Sequence, residues 1–218
     1  MKLAVFDLDG TLADTIDDIT AAVNHVMEHY GFPKSSPEDV KYMVGDGIKE
    51  LMLRAFPEDR REEPELLAEA LTIFKDYYNE HFCDYTLPYE GIIPMLDALK
   101  AGGVRLAVVT NKNEEAVELI VEKLFKGYFE IVIGNSDKVK QKPDPSSVLY
   151  IMDKLGAEKS DTFYIGDAYT DIYTAKNAGV KGIGVLWGFR TYSELHDAGA
   201  DFIVSAPSEI ISIIGGEI

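Results

Sequence analysis

An α/β fold, a parallel sheet flanked by helices with an all-helical segment set into it after the first strand, follows from three features of the sequence. Short apolar runs recur at Leu3 to Phe6, Val104 to Val109, Ile131 to Ile133, Phe163 to Ile165, Ile183 to Leu186 and Phe202 to Val204. Helix-length stretches separate the later runs, the alternation that builds βαβ units. The interval from Asp14 to Pro88 carries helical periodicity and no strand-like run.

The first strand opens the chain, MKLAVFDLDG, and ends where Asp7 and Asp9 interrupt the apolar run. So short a run behind one lysine falls below an export-signal core. Ile16, Ile19, Val23, Val26, Met27 and Tyr30 then recur at helical spacing, and Gly31 with Pro33 closes that helix. Val40 to Phe56 and Leu66 to Phe82 read as two further helices. An insert of about 75 residues is too long for a loop and predicts a second domain. The expected division gives residues 1–13 and 89–218 to the core and 14–88 to the helical insert. Leaving and re-entering the core at nearby points suits a hinged lid. In the core, Ala101-Gly102-Gly103-Val104, Ala178-Gly179-Val180 and Ala198-Gly199-Ala200 read as helices ended by a left-handed glycine with a strand following.

Composition narrows the function. The chain has 218 residues, with 38 acidic against 21 basic side chains and a net charge of −17. That charge opposes non-specific nucleic-acid or anionic-membrane binding. The apolar runs fall far below the roughly 20 residues that cross a bilayer. A cytoplasmic location is the expectation. The single cysteine, Cys83, excludes an internal disulfide and the usual zinc frameworks.

The candidate chemistry lies at strand ends. Asp7 and Asp9 directly follow the first strand and emerge at its carboxyl end, where open α/β sheets place ligands. A calcium loop is excluded, because the places for a third acidic ligand, the glycine and the final glutamate hold Thr11, Leu12 and Asp18. Val108-Val109-Thr110-Asn111 ends the second core strand with a hydroxyl and an amide. Lys142-Pro143-Asp144-Pro145 sets a lysine in a stiff loop before a helix, and Gly166-Asp167-Ala168-Tyr169-Thr170-Asp171 places two aspartates at another strand end. Neighbouring parallel strands would gather Asp7, Asp9, Thr110, Asp167 and Asp171 on one edge. Four converging carboxylates persist only with compensating cations, and hard oxygen ligands point to Mg²⁺ with Lys142 as a second positive charge.

FDLDGTLADT, VVTN, QKPDP and GDAYTD, in this order, resemble the four motifs of the haloacid dehalogenase-like hydrolase superfamily. The resemblance covers essentially the whole chain and implies a Rossmann-like core, and the helical insert matches those members that carry a mobile cap domain at that position. It implies Asp7 as nucleophile forming an aspartyl-phosphate, with Asp9 as acid and then base. It gives Thr110 and Asn111 the phosphoryl oxygens, and Lys142 the charge on nucleophile and phosphoryl group. For the metal it implies Asp7, Asp9 through its main-chain carbonyl, Asp167, and Asp171 as a ligand or as a partner acting through water or Lys142. An acid at Asp9 separates the chain from dehalogenases and phosphonate hydrolases and favours phosphate esters. Met43-Val44-Gly45-Asp46-Gly47-Ile48 through Arg54 further resembles the cap segment of phosphoglycolate phosphatases. There Gly45 and Gly47 would let main-chain N–H groups approach an anion, and Arg54 would meet a substrate carboxylate. Ordinary packing of a glycine turn is the alternative, and Trp187-Gly188-Phe189-Arg190 departs from the Tyr- and Asn-containing segment of some phosphoglycolate enzymes. The expected activity is a Mg²⁺-dependent phosphatase acting on a small phosphorylated metabolite, 2-phosphoglycolate first, as monomer or homodimer. Inorganic pyrophosphatase, sugar phosphomutase and a non-catalytic phosphate-binding regulator are the alternatives.

Overall fold

A computed structural model of the chain describes residues 1–136 and 139–215. In chain order the elements are Leu3–Phe6 (β1), Ala13–Asp14 (β2), Ile16–Tyr30 (α1), Pro37–Met43 (α2), Ile48–Ala55 (α3), Pro64–His81 (α4), Leu87–Pro88 (β3), Ile92–Ala101 (α5) and Arg105–Asn113 (β4). They continue as Glu114–Leu124 (α6), Ile131–Asn135 (β5), Ser146–Leu155 (α7), Thr162–Gly166 (β6), Tyr169–Ala178 (α8), Lys181–Val185 (β7), Tyr192–Ala198 (α9), Phe202–Val204 (β8) and Pro207–Gly215 (α10). The chain divides into two compact units, Met1–Asp14 with Pro88–Ile218, and Thr15–Leu87.

The first unit is the α/β body. Its six strands lie in the order β5-β4-β1-β6-β7-β8, and each neighbouring pair is parallel. All four residues of β1 are buried, as a strand covered on both faces requires. Leu3, Val5, Val109 and Tyr164 pack with Val148 and Ile151 of α7 and Ala175 and Ala178 of α8 in one core cluster. From β1 the chain steps outward through β4 and β5, then returns to the other side of β1 at β6 and continues to β8. The direction of winding therefore reverses between β1 and β6, and ligands of such sheets sit at that crevice, beyond the carboxyl ends of the strands. Phe6 pairs with Val108 and with Ile165, so Asp7, Thr110 and Asp167 follow within two residues of one level. The left-handed helix ends fall at Gly179 and Gly199 as expected, whereas after α5 the positive φ belongs to Gly103, not to the cap residue Gly102.

The second unit is helical. In α1 the apolar stripe Ile16, Ile19, Val23, Val26 and Met27 is buried, and Gly31 closes the helix in the left-handed conformation. Asp18, on the same helix, is 1% exposed, yet it accepts hydrogen bonds from the Thr86 hydroxyl at 2.6 Å and the Thr86 N–H at 2.8 Å. Those donors compensate its desolvation and tie the unit's last residues to its first helix. The single helix expected from Val40 to Phe56 is two: α2 ends at Met43 and α3 begins at Ile48. Gly45 at φ 122° and Gly47 at φ 85° have left right-handed helical space, so the chain turns there. The first helix also starts earlier than Val40, because Ser36 and Asp39 form a reciprocal capping box. Where strands were not expected, the two-residue segments β2 and β3 pair in a small second sheet at the points where the chain passes between units.

Candidate active site

Three carboxylates meet at the crevice between β1 and β6. Asp7, Asp167 and Asp171 each offer an oxygen, and these oxygens lie within 4.8 Å of one another. All three are buried, at 7%, 1% and 0% exposure. Asp7 stands one residue beyond β1, where its N–H still donates to the Ile165 carbonyl at 2.9 Å. Asp167 follows β6, and Asp171 lies in the first turn of α8, where its Oδ2 accepts the Ala168 N–H at 3.0 Å.

One cation enters this cluster. Nζ of Lys142 lies 2.6 Å from Asp171 Oδ1 and 2.9 Å from Asp7 Oδ1. The contact with Asp171 is a hydrogen bond, whereas that with Asp7 is an ion pair without directed geometry, leaving Asp7 Oδ1 buried and without a hydrogen-bond partner. Burial alone would lower the Lys142 ammonium, but Asp171 and Asp7 overturn that effect and hold it well above the usual lysine range. Burial also pushes the Asp7 carboxyl up to about 6; Lys142 pulls it down while Asp171 and Asp9 push it further up. For Asp167 burial, then Asp171 and Asp7, raise the carboxyl to about 8, against the Phe189 N–H and Arg190.

Asp167 is gripped at both oxygens: Oδ1 accepts the Thr11 hydroxyl at 3.1 Å and Oδ2 the Phe189 N–H at 2.8 Å. The segment supplying that N–H passes close behind. A Cβ at Gly188 would fall inside contact distance of Asp167 Cβ and the Gly10 carbonyl, so only glycine fits. Trp187 ties the same segment to the first loop by donating from Nε1 to the Thr11 carbonyl at 2.9 Å. Gly188→Ala is expected to cost about 2–4 kcal/mol of stability, by forcing backbone and Asp167 apart. Urea unfolding of the variant measures it, and an unchanged midpoint would refute the close approach.

Asp9 does not join the cluster. Among the described residues three carboxylates converge where four were expected, and Asp9 Oδ1 pairs instead with Lys112 Nζ at 2.9 Å. Both side chains are largely buried, at 11% and 7% exposure. The Lys112 ammonium stabilises this carboxylate, whereas a crowd of like charges would repel it. Lys112 escaped the sequence reading, although its place directly beyond Thr110 and Asn111 at a strand end was the available signal. Thr110 is buried, and its hydroxyl oxygen accepts the Lys112 N–H at 3.3 Å. Asn111 faces the Lys142 loop, accepting the Lys142 N–H at 2.8 Å and donating to the Lys142 carbonyl at 3.3 Å.

Gly45, Gly47 and Arg54 lie in the helical unit. Gly47 precedes the first turn of α3, as the sequence suggested. The Arg54 guanidinium donates to the Met43 carbonyl at 2.8 Å and pairs with Asp46, so it clamps its own glycine turn.

The donor chemistry fits a hard divalent cation. Three buried carboxylates with oxygen ligands only, and an Asp7 oxygen lacking a hydrogen bond, match Mg²⁺ better than a soft metal. Fold and site together define an enzyme of the open-sheet α/β class with an acidic, lysine-balanced centre at the winding reversal. A family model described as haloacid dehalogenase-like hydrolase matches residues 4–185, and the chain belongs to that family. The phosphoglycolate phosphatase of Aquifex aeolicus (strain VF5) is 34% identical over 219 residues, an alignment spanning 100% of this chain and 99% of that one. The phosphoglycolate phosphatase of Chromobacterium violaceum is 33% identical, spanning 98% of this chain and 96% of its own. A solved structure from Lactobacillus delbrueckii subsp. bulgaricus, described as a candidate phosphoglycolate phosphatase, superposes with a TM-score of 0.92 at 34% identity and 98% coverage of each chain. Within the family these similarities fall in the phosphoglycolate phosphatase-like subgroup, whose enzymes are phosphoric monoester hydrolases. Among the described residues no helix is long and apolar enough to cross a membrane.

Proposed function

We propose that the chain hydrolyses a small phosphomonoester, 2-phosphoglycolate first, in a Mg²⁺-dependent reaction through an aspartyl-phosphate on Asp7. The observation carrying this reading is Asp7 Oδ1: buried, without a hydrogen-bond partner and 2.9 Å from the Lys142 ammonium. That oxygen is poised to attack, and the phosphoryl group it receives would lie beside a fixed positive charge.

In the first step an Asp7 oxygen forms a bond to phosphorus while the bond from phosphorus to the ester oxygen breaks. Asp9, parted from Lys112 and having taken a proton from solvent, passes that proton to the departing alkoxide. In the second step Asp9 takes a proton from water, which attacks the same phosphorus and releases inorganic phosphate and the Asp7 carboxylate. To do either, Asp9 must come away from Lys112, so substrate entry has to break that ion pair. The Thr110 hydroxyl holds a phosphoryl oxygen, and Lys142 offsets the charge on the group in transit. Mg²⁺, held by Asp7, Asp167 and the Asp9 main-chain carbonyl, with Asp171 completing the acidic set, would supply positive charge opposite the phosphoryl oxygens. The preference for 2-phosphoglycolate rests on the names of the relatives. Arg54 could meet the substrate carboxylate only by giving up Asp46.

Phosphate release with Mg²⁺ across 2-phosphoglycolate, pyrophosphate, sugar phosphates and nucleotides tests the reading. The expected result is a kcat/KM for 2-phosphoglycolate at least about tenfold above the rest, about 1.4 kcal/mol of transition-state preference. Equal rates on all would overturn the substrate, and release from none would overturn the phosphatase.

A further inference from the structure

The amide of Asn111 has a task other than the one its place beside Thr110 suggests. Its Oδ1 accepts the Lys142 N–H at 2.8 Å and its Nδ2 donates to the Lys142 carbonyl at 3.3 Å. One planar side chain thus satisfies both main-chain polar groups of one residue, 31 positions away in sequence. Asn111 and Lys142 are 5% and 6% exposed, so the clamp is dry and water does not replace it cheaply. Asn111 belongs to β4, hydrogen-bonded to β1, whereas Lys142 belongs to the irregular stretch before α7. A residue in such a stretch has no ladder of its own to fix it. The charged end then contacts Asp7 and Asp171, and the ring of Tyr164 lies 5.8 Å beneath the ammonium.

We propose that Asn111 is a positioning residue: it fixes the main chain of Lys142 to the carboxyl-terminal end of β4, and through it the ammonium beside Asp7, rather than holding phosphoryl oxygens itself. This rests on the phosphatase reading for the role of Lys142, but the clamp itself does not. Any substitution that removes the amide lets the Lys142 loop relax, and an ångström of displacement at a reacting centre costs about 100-fold in rate.

The test is a double-mutant cycle with Asn111→Ala, Lys142→Met and the pair together, read by kcat and KM and by calorimetric binding of inorganic phosphate in the presence of Mg²⁺. The expected result is a kcat about 100-fold lower in Asn111→Ala with KM within about threefold, and no further loss when Asn111→Ala is added to Lys142→Met. Multiplied losses in the double variant, or a large KM rise with kcat preserved, would mean that Asn111 touches the phosphoryl group, and would overturn the proposal. Unchanged kcat and phosphate binding in Asn111→Ala would overturn it too. Should the alanine protein fail to fold, Asn111→Ser keeps a polar atom in the buried position and should show the same non-additivity. Hydrogen exchange at the Lys142 N–H decides the clamp independently of turnover: exchange is expected to quicken at least tenfold in Asn111→Ala, and unchanged exchange would overturn it. If the unmutated protein bound no phosphate and turned over no ester, the phosphatase reading would fall and this exchange measurement alone would settle the clamp.

Discussion

Asp7→Asn is expected to reduce turnover of the best ester by about 10⁴-fold or more while the protein stays folded and still binds phosphate. Asparagine keeps the shape of the buried side chain but offers no nucleophilic oxygen and no negative charge. The fold should tolerate it, because the carboxylate it replaces is disfavoured in place, raised to about 6 by burial first of all. Lys142 retains its hydrogen bond to Asp171 at 2.6 Å. The melting temperature of the metal-free variant should therefore lie within about 5 °C of the parent. Phosphate-release kinetics and calorimetry check the two halves, and a variant retaining a tenth of the parent rate would remove Asp7 as nucleophile. Mass spectrometry of the parent quenched in acid during turnover should show a phosphoryl adduct that the variant lacks.

The second large effect is on stability, and its sign is set by the acid cluster. In the folded protein Asp167 titrates at about 8 and Asp7 at about 6, against 3.8 for an ordinary aspartate. Between the ordinary value and these raised ones the folded state holds protons that the unfolded chain has released. Stability without metal therefore falls as pH rises through that window, and the loss is complete only above pH about 8. The cost is on the order of a few kcal/mol. On the proposed reading Mg²⁺ is expected to reverse it, since a cation that binds only the folded state adds stability and needs the ionised carboxylates. Melting curves from about pH 5 to pH 9, with chelator and with Mg²⁺, should separate increasingly toward the alkaline end. Asp167→Asn should flatten the chelator curve. A parent whose metal-free stability instead climbs toward pH 8 would show that these carboxylates are already ionised and compensated.

Much of this is legible in the sequence alone. Apolar runs gave six strands because a sheet buried on both faces needs uninterrupted Val, Ile, Leu and Phe, and β1, with all four residues buried, is the clearest case. Positions at strand ends gave Asp7 and Asp167, because parallel strands in register deliver their carboxyl ends to one edge; Thr110 lies inside β4, which runs on to Asn113 rather than ending at Asn111 as expected. Side-chain choice among partners was not legible. Lys112 takes Asp9 and Asn111 takes the Lys142 main chain because of proximity across long sequence separations, which no local pattern encodes. The break between α2 and α3 was half visible: Gly45 and Gly47 announce a turn, but the apolar periodicity on either side runs on through it. Nor does anything near Trp187 announce that the segment grips Asp167, since the grip is made by a main-chain N–H.

The place of β1 has a consequence for how the chain is made. It leaves the ribosome before the other five strands of its sheet, yet it occupies the middle, with Leu3 opposite Arg105 on one side and Thr162 on the other. Until β4 is made, from Arg105 on, both hydrogen-bonding edges of this apolar strand are open, and one stays open until β6, a template for pairing with other nascent chains. Its second edge closes only when β6 emerges, so a chain stalled before that point is the species most in need of chaperone shelter. Such distant pairings also make for slow folding, whatever the final stability. The strand that leads to Asp7 is thus made before its five partners, and its second edge waits about 150 residues for β6.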